Sequence, residues 1–158
     1  ADKERPLDAD ERQAWQTMAR AGELVVQQWN GIWRSNDGGQ SWEFRSNENG
    51  RPMYFSQIRV SPTDADLVYT VDQQVAKSRD GAKTWETLSG FGHVDQHALW
   101  INPANHDHVM IGNDGSIDVS YDQGETWESL RNWAVGQPYH VSVDMQQPYY
   151  VCTGLQDN

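Results

Sequence analysis

Ser35-Asn36-Asp37-Gly38-Gly39-Gln40-Ser41-Trp42 returns as Ser78-Arg79-Asp80-Gly81-Ala82-Lys83-Thr84-Trp85, and again as Ser120-Tyr121-Asp122-Gln123-Gly124-Glu125-Thr126-Trp127. The shared pattern is Ser-x-Asp-x-Gly-x-Ser/Thr-Trp, with Ala82 in place of the glycine in the second copy. The copies begin at residues 35, 78 and 120, intervals of 43 and 42 residues. Such an octad suits a tight turn between two strands. Glycine supplies backbone angles that a side chain resists. The Asp and Ser side chains take up turn N–H groups that no ladder partner satisfies. Trp42, Trp85 and Trp127 then open the following strands and supply large apolar faces, which are expected in the core.

A second marker repeats out of phase with the first. Phe55 to Val60 alternates, breaks at Ser61-Pro62-Thr63-Asp64, and resumes at Leu67-Val68-Tyr69. His97 to Ile101, Asn102-Pro103-Ala104-Asn105 and Val109-Met110-Ile111 repeat this. So do Tyr139 to Val143, Asp144 to Pro148 and Tyr149 to Val151. Each unit reads strand, proline turn, strand, short strand, octad, strand. A period near 40–45 residues with four strands is that of a propeller blade.

The sequence therefore predicts an all-β chain, a β-propeller fragment of four-stranded antiparallel blades. Residues 23–158 hold the end of one blade, two full blades over about 53–90 and 97–133, and the start of a fourth. Glu23 to Gln28 reads as the first strand. Residues 1–22 read as a short N-terminal α-helix, capped by Asp8 or Asp10, stopped at Gly22 and packing through Leu7, Trp15 and Met18. So few blades leave strand edges bare. The expectation is a part of a longer polypeptide, or a chain whose open edges a protein partner covers.

The 158 residues carry a net charge of −11. That argues against a nucleic-acid groove, which needs a basic stripe, and against docking on anionic lipid. No run is long and apolar enough to span a membrane. The single cysteine, Cys152, cannot form an internal disulfide and is expected as a small buried residue. Nothing in the sequence calls for a cofactor.

The three octads resemble Asp-box (BNR) repeats, found in sialidases, sortilin-type receptor domains, family-74 xyloglucanases and photosystem II assembly/stability propellers. Arg51 to Val60, His97 to Pro103, Gly112-Asn113-Asp114-Gly115 and Gly154 to Asn158 are similar to large bacterial sortilin-like (VPS10-type) exported propellers. The resemblance covers about residues 20–158. It implies a long exported parent of seven to ten blades. Gln96 stands where that family often has a second histidine, and Ser116 where it often has glycine.

Several residues are candidates for chemistry. Two histidines and a carboxylate can hold zinc or iron, and His93, Asp95 and His97 share one face if their segment is extended. The other reading is a polar loop whose histidines bond neighbouring turns. Asp95, Asp114 and Asp118 are acids available for glycoside hydrolysis, which needs two opposed carboxyls. The sialidase Arg-Ile-Pro signature is missing, because Arg51-Pro52 lacks its middle residue. His106-Asp107-His108 reads as solvated. Trp29, Trp33, Trp100, Trp133 and the Tyr149-Tyr150 pair suit either a core or a binding face. Taken together, the sequence favours a non-catalytic protein-binding scaffold outside the cytoplasm, periplasmic or secreted. In its sharpest form this is an extrinsic subunit on a membrane complex, a photosynthetic one by resemblance. The alternative is part of a secreted carbohydrate-active propeller enzyme.

Overall fold

The computed structural model describes residues 13, 17, 31–51, 55–131 and 138–155. Strands β1 (Ile32–Arg34) and β2 (Glu43–Ser46) pair around the first octad. A four-stranded meander follows: β3 (Gln57–Val60), β4 (Val68–Val71), β5 (Val75–Ser78) and β6 (Glu86–Thr87). A second is built from β7 (Gln96–Ile101), β8 (Val109–Asn113), β9 (Ile117–Ser120) and β10 (Glu128–Leu130). Strands β11 (Pro138–Val143) and β12 (Val151–Leu155) form a last hairpin. Every pairing is antiparallel between neighbours in sequence. The two meanders, repeating at the octad period, are blades of a β-propeller.

The octads are three copies of one hydrogen-bond network. Ser35 Oγ donates to Asp37 and accepts from the Gly39 N–H at 2.7 Å. Asp37 accepts from the Ser41 N–H at 2.9 Å and from its hydroxyl at 2.6 Å. Ser78 and Asp80 treat Ala82 and Thr84 in the same way. Ser120 and Asp122 do so with Gly124 and Thr126. The fourth and fifth residues of each octad lie at positive φ: Gly38 and Gly39, Gly81 and Ala82 (72° and 71°), Gln123 and Gly124 (61° and 89°). Ala82 thus takes the left-handed backbone that the pattern assigns to glycine, because six side-chain bonds around Asp80 and Ser78 over-determine the turn.

The core lies between the meanders. Leu67, Tyr69, Val71, Val75 and Leu88 of the first face Leu99, Ile101, Val109 and Ile111 of the second, with Phe91 and Trp127 packed against them. Each buried aliphatic contributes about 1.5–3 kcal/mol. Polar clasps frame this interface. The Tyr69 hydroxyl donates to the Gln123 carbonyl at 3.1 Å. Lys77, its side chain fully buried, reaches Glu86 at 3.0 Å and Glu125 at 2.5 Å. One repeat earlier, Arg34 occupies the equivalent position and pairs with Asp66 at 2.5 Å. Trp85 Nε1 donates to Ser46 Oγ of the preceding hairpin at 2.9 Å.

Several expectations are corrected. Trp85 and Trp127 pack against the preceding unit, but Trp42 is 60% exposed. Its indole donates only to the Gly39 carbonyl. Cys152 is exposed on β12. His106 is held by Thr63 at 2.8 Å, and His108 lies between Trp100 and stacked Tyr121, so this triplet is not simply solvated. Trp33 makes an edge contact with Phe44 while more than a third exposed, and Trp100, Tyr149 and Tyr150 are exposed. The N-terminal helix, the Glu23–Gln28 strand, Trp29 and Trp133 lie outside the described residues, except that Gln13 and Thr17 are helical. Among the described residues no helix is long and apolar enough to cross a membrane.

Candidate functional site

In a meander, successive turns alternate between the two ends of the sheet. The octads and the proline turns therefore share one end. The β4–β5 turn, the β8–β9 turn and the connections following β2 and β6 gather at the other. That second end carries the candidate chemistry.

Short polar side chains shape its turns. Asp72 accepts from the Gln74 N–H at 2.9 Å. Asn113 accepts from the N–H groups of Gly115 and Ser116 at 3.1 and 2.7 Å. The connection into β7 docks on the earlier turn through Asp95 N–H to Gln73 C=O and Gln96 N–H to Asp72 C=O. Asp95 sits at φ +62° and turns the chain into β7, where the register shifts between Gln96 and Ala98. Asp tolerates this conformation better than most residues.

A row of side chains spans this end. His97 Nε2 meets Asp114 Oδ1 at 2.9 Å. The His97 ring packs on Phe55, with centroids 4.3 Å apart. Phe55 lies under the Arg51 guanidinium at 4.6 Å, a cation–π distance. Arg51 in turn reaches Asp95 at 3.6 Å. Asp95 and Asp114 thus stand at the two ends of one row, each beside a cationic or basic partner. Both are partly exposed, at 29% and 46% of the side chain.

The predicted set of His93, Asp95 and His97 is not brought together. His93 Nδ1 faces the Val94 carbonyl at 2.7 Å, while Asp95 and His97 serve Arg51 and Asp114. Among the described residues no three His, Cys, Asp or Glu are grouped to hold a metal. Sharing a face by alternation requires extended backbone, and residues 93–95 precede the strand and are bent by the left-handed Asp95.

Asp118 is not available as an acid either. It is fully buried and accepts from Ser129, from Ser116 at 2.8 Å, from Asn113 Nδ2 at 2.7 Å and from the Gly92 N–H at 2.9 Å. Burial pushes its carboxyl up, but these four donors outweigh burial and hold it below the usual range. Alternation with Ile117 and Val119 on β9 puts Asp118 on the opposite face from them, so its burial comes from the packing of that face and not from a signal in the sequence. Gln96, where the resembled family often has histidine, is buried. It links the His93 carbonyl at 2.5 Å to Asn113 at 3.2 Å, a structural task. The parts of Arg51 and Phe55 in the row have no signal in the sequence, since long-range packing alone brings them there.

No family profile matches the chain. Over 109 residues it is 31% identical to an oligoxyloglucan-reducing end-specific xyloglucanase of Emericella nidulans, a match over 63% of the chain and 13% of the relative. The crystal structure of an ancestral GH74 enzyme superposes with a TM-score of 0.52 at 16% identity, over 63% of this chain and 15% of that one. The second likeness is one of fold. The chain spans 13% and 15% of these two relatives. Neither is a sortilin-type receptor or a photosystem assembly factor. The expectation of a non-catalytic scaffold on a membrane complex is corrected accordingly, because the similarity runs to glycosidase propellers and favours the carbohydrate-active alternative.

Proposed function

We propose that this chain is a section of an exported glycosidase-like propeller acting on a neutral polysaccharide of the xyloglucan class. The observation that carries the reading is the 31% identity to a xyloglucanase over 109 residues. The row at the loop end supports it. Glycoside hydrolysis uses two carboxyl groups flanking the bond, and Asp95 and Asp114 are the partly exposed acids of that row. Asp114 shares Oδ1 with His97 and keeps Oδ2 for a sugar hydroxyl. Arg51 orients Asp95 from the side of Phe55. A net charge of −11 repels anionic polymers but not an uncharged glucan. A polysaccharide substrate lies outside the cell membrane, which makes the working compartment extracytoplasmic.

The test is turnover of xyloglucan oligosaccharides by the whole protein and by its Asp95→Asn and Asp114→Asn variants. Loss of a group that moves a proton or steadies charge in the transition state lowers kcat by about 10²–10⁴. Wild-type turnover in both variants would remove this row from the chemistry. No cleavage and no binding of any neutral glucan by the whole protein would refute the reading.

A further inference from the structure

The two complete blades differ at one place that their common register makes comparable. In the second blade, Ile111, Asp118 and Ser129 lie side by side across β8, β9 and β10. In the first, the same register brings Thr70, Ala76 and Thr87 together across β4, β5 and β6. Ala76 and Asp118 each stand two residues before the octad serine. Asp118 fills its blade's position with a carboxylate that takes four donors. Ala76 offers only a methyl group.

Where the second blade carries this carboxylate, the first blade opens into a polar cavity of about 230 Å³. Its walls are Thr70, Thr87, Asp72, Gln73 and Gln74 from the blade, with Glu48 and Gly50 from the connection after β2. At a share of about 30 Å³ per water, it holds several waters or one small polar molecule. Gly50 closes one side so tightly that a Cβ there would lie 2.5 Å from Asp72 Oδ2. Within the wall, the Asp72 carboxylate accepts from the Gln74 N–H, which leaves its other lone pairs for a guest. Thr70 and Asp72 are nevertheless buried. Gln73, Gln74 and Thr87 are exposed at its mouth, so the cavity opens to solvent and presents polar groups from floor to rim to an entering guest.

We infer that this cavity is a binding site for a neutral polyhydroxylated ligand, a single pyranose unit, separate from the Asp95–Asp114 row. The lining selects the class. Glu48 and Asp72 accept hydrogen bonds and exclude anions. The threonine hydroxyls and the glutamine amides both donate and accept, which matches vicinal sugar hydroxyls. Ala76, with only a methyl group, lets a ring approach the β5 backbone closely. The choice of glucose and xylose as probes rests on the proposed function, whereas the cavity itself does not.

The experiment is a titration of the whole protein with glucose, xylose or calcium chloride, followed by amide NMR shifts, alongside an Ala76→Asp variant. The carboxylate introduced by that substitution projects from the cavity floor into the space a sugar ring would take, with Thr87 as a donor. Shifts at Thr70, Gln74 and Thr87 that saturate with a sugar, and fall at least tenfold in affinity in the folded A76D protein, are the expected result. A second variant, Thr87→Val, keeps the shape, removes a hydroxyl and is expected to weaken binding severalfold. Shifts with calcium alone would overturn the sugar assignment, and no saturable shift with either probe would overturn the site. Sugar binding here with no glucan turnover sinks only the hydrolytic reading, and turnover without binding here sinks only this one.

Discussion

Asp37, Asp80 and Asp122 each accept a Ser or Thr hydroxyl, a backbone N–H and the octad's first serine. Hydrogen bonds from Ser41 and Thr126 hold Asp37 and Asp122 at about 2, below the ordinary 3.8, and those from Thr84 keep Asp80 below the usual range as well. Depressed folded values mean that the ionised turns contribute their full stability above the unfolded value of 3.8. That contribution is lost as pH falls through the folded value near 2. The urea midpoint, followed downward from about pH 5, is expected to fall across this window, and Asp122→Asn is expected to flatten the fall. A second residue-scale prediction concerns the octad's fifth position. At Gly124, φ is +89°, and a Cβ would lie 2.7 Å from Leu88 Cδ1 and 2.9 Å from the Trp127 ring. Gly124→Ala is expected to cost about 1–3 kcal/mol. Ala82→Gly, at φ +71°, should stay within about 1 kcal/mol of wild type. Denaturant midpoints separate the two. These turns were fully legible in the sequence, since their bonds span only two to four residues.

Strands were legible wherever alternation met a core on one face. Leu99 and Ile101 alternate inward on β7, as Tyr69 and Val71 do on β4, and each finds its partner in the adjoining blade. Truncating Leu99 or Ile111 to alanine leaves a cavity between two sheets that cannot collapse on it. The expected loss is about 2–5 kcal/mol in chemical denaturation. The clasps at the rim behave differently. Tyr69→Phe removes one hydrogen bond to the Gln123 carbonyl, worth about 0.5–1.5 kcal/mol. Lys77→Met gives up two ion pairs with half-exposed glutamates and an expensive burial, and is expected to be near neutral. Trp42 shows where element-scale reading fails. Its octad is intact and its turn is made, yet its ring is 60% exposed, whereas Trp85 and Trp127 pack on the units before them.

Across the whole molecule, the octad turns and the proposed site occupy opposite ends of the blades. The octads lie with the proline turns, whereas Asp95, Asp114 and the cavity beside Ala76 lie with the β4–β5 and β8–β9 turns. This separation predicts a double dissociation. Asp80→Asn should lower the melting temperature while leaving glucan turnover unchanged at temperatures where the protein stays folded. Asp114→Asn should lower turnover and leave the melting temperature close to wild type. Thermal melts and initial rates on the same preparations decide this, and a parallel loss of both in either variant would refute the division.

The octad period, the proline turns and the alternating strands determined the all-β blade architecture by themselves, because each depends on contacts local in sequence or on a strict period of two. The same reading placed Asp95 and Asp114 among the candidate acids without showing what they meet. Only the tertiary structure decided that Asp95 turns away from a metal set, that Arg51 and Phe55 join it to His97 and Asp114, and that Asp118 is a buried keystone. Each of these outcomes depends on a left-handed residue, a register shift or a neighbouring blade. Ala76 and Asp118 make the case most plainly: two positions equivalent in the repeat, one filled by a carboxylate and the other left as a cavity, a difference that acquires meaning only when the sheets are packed.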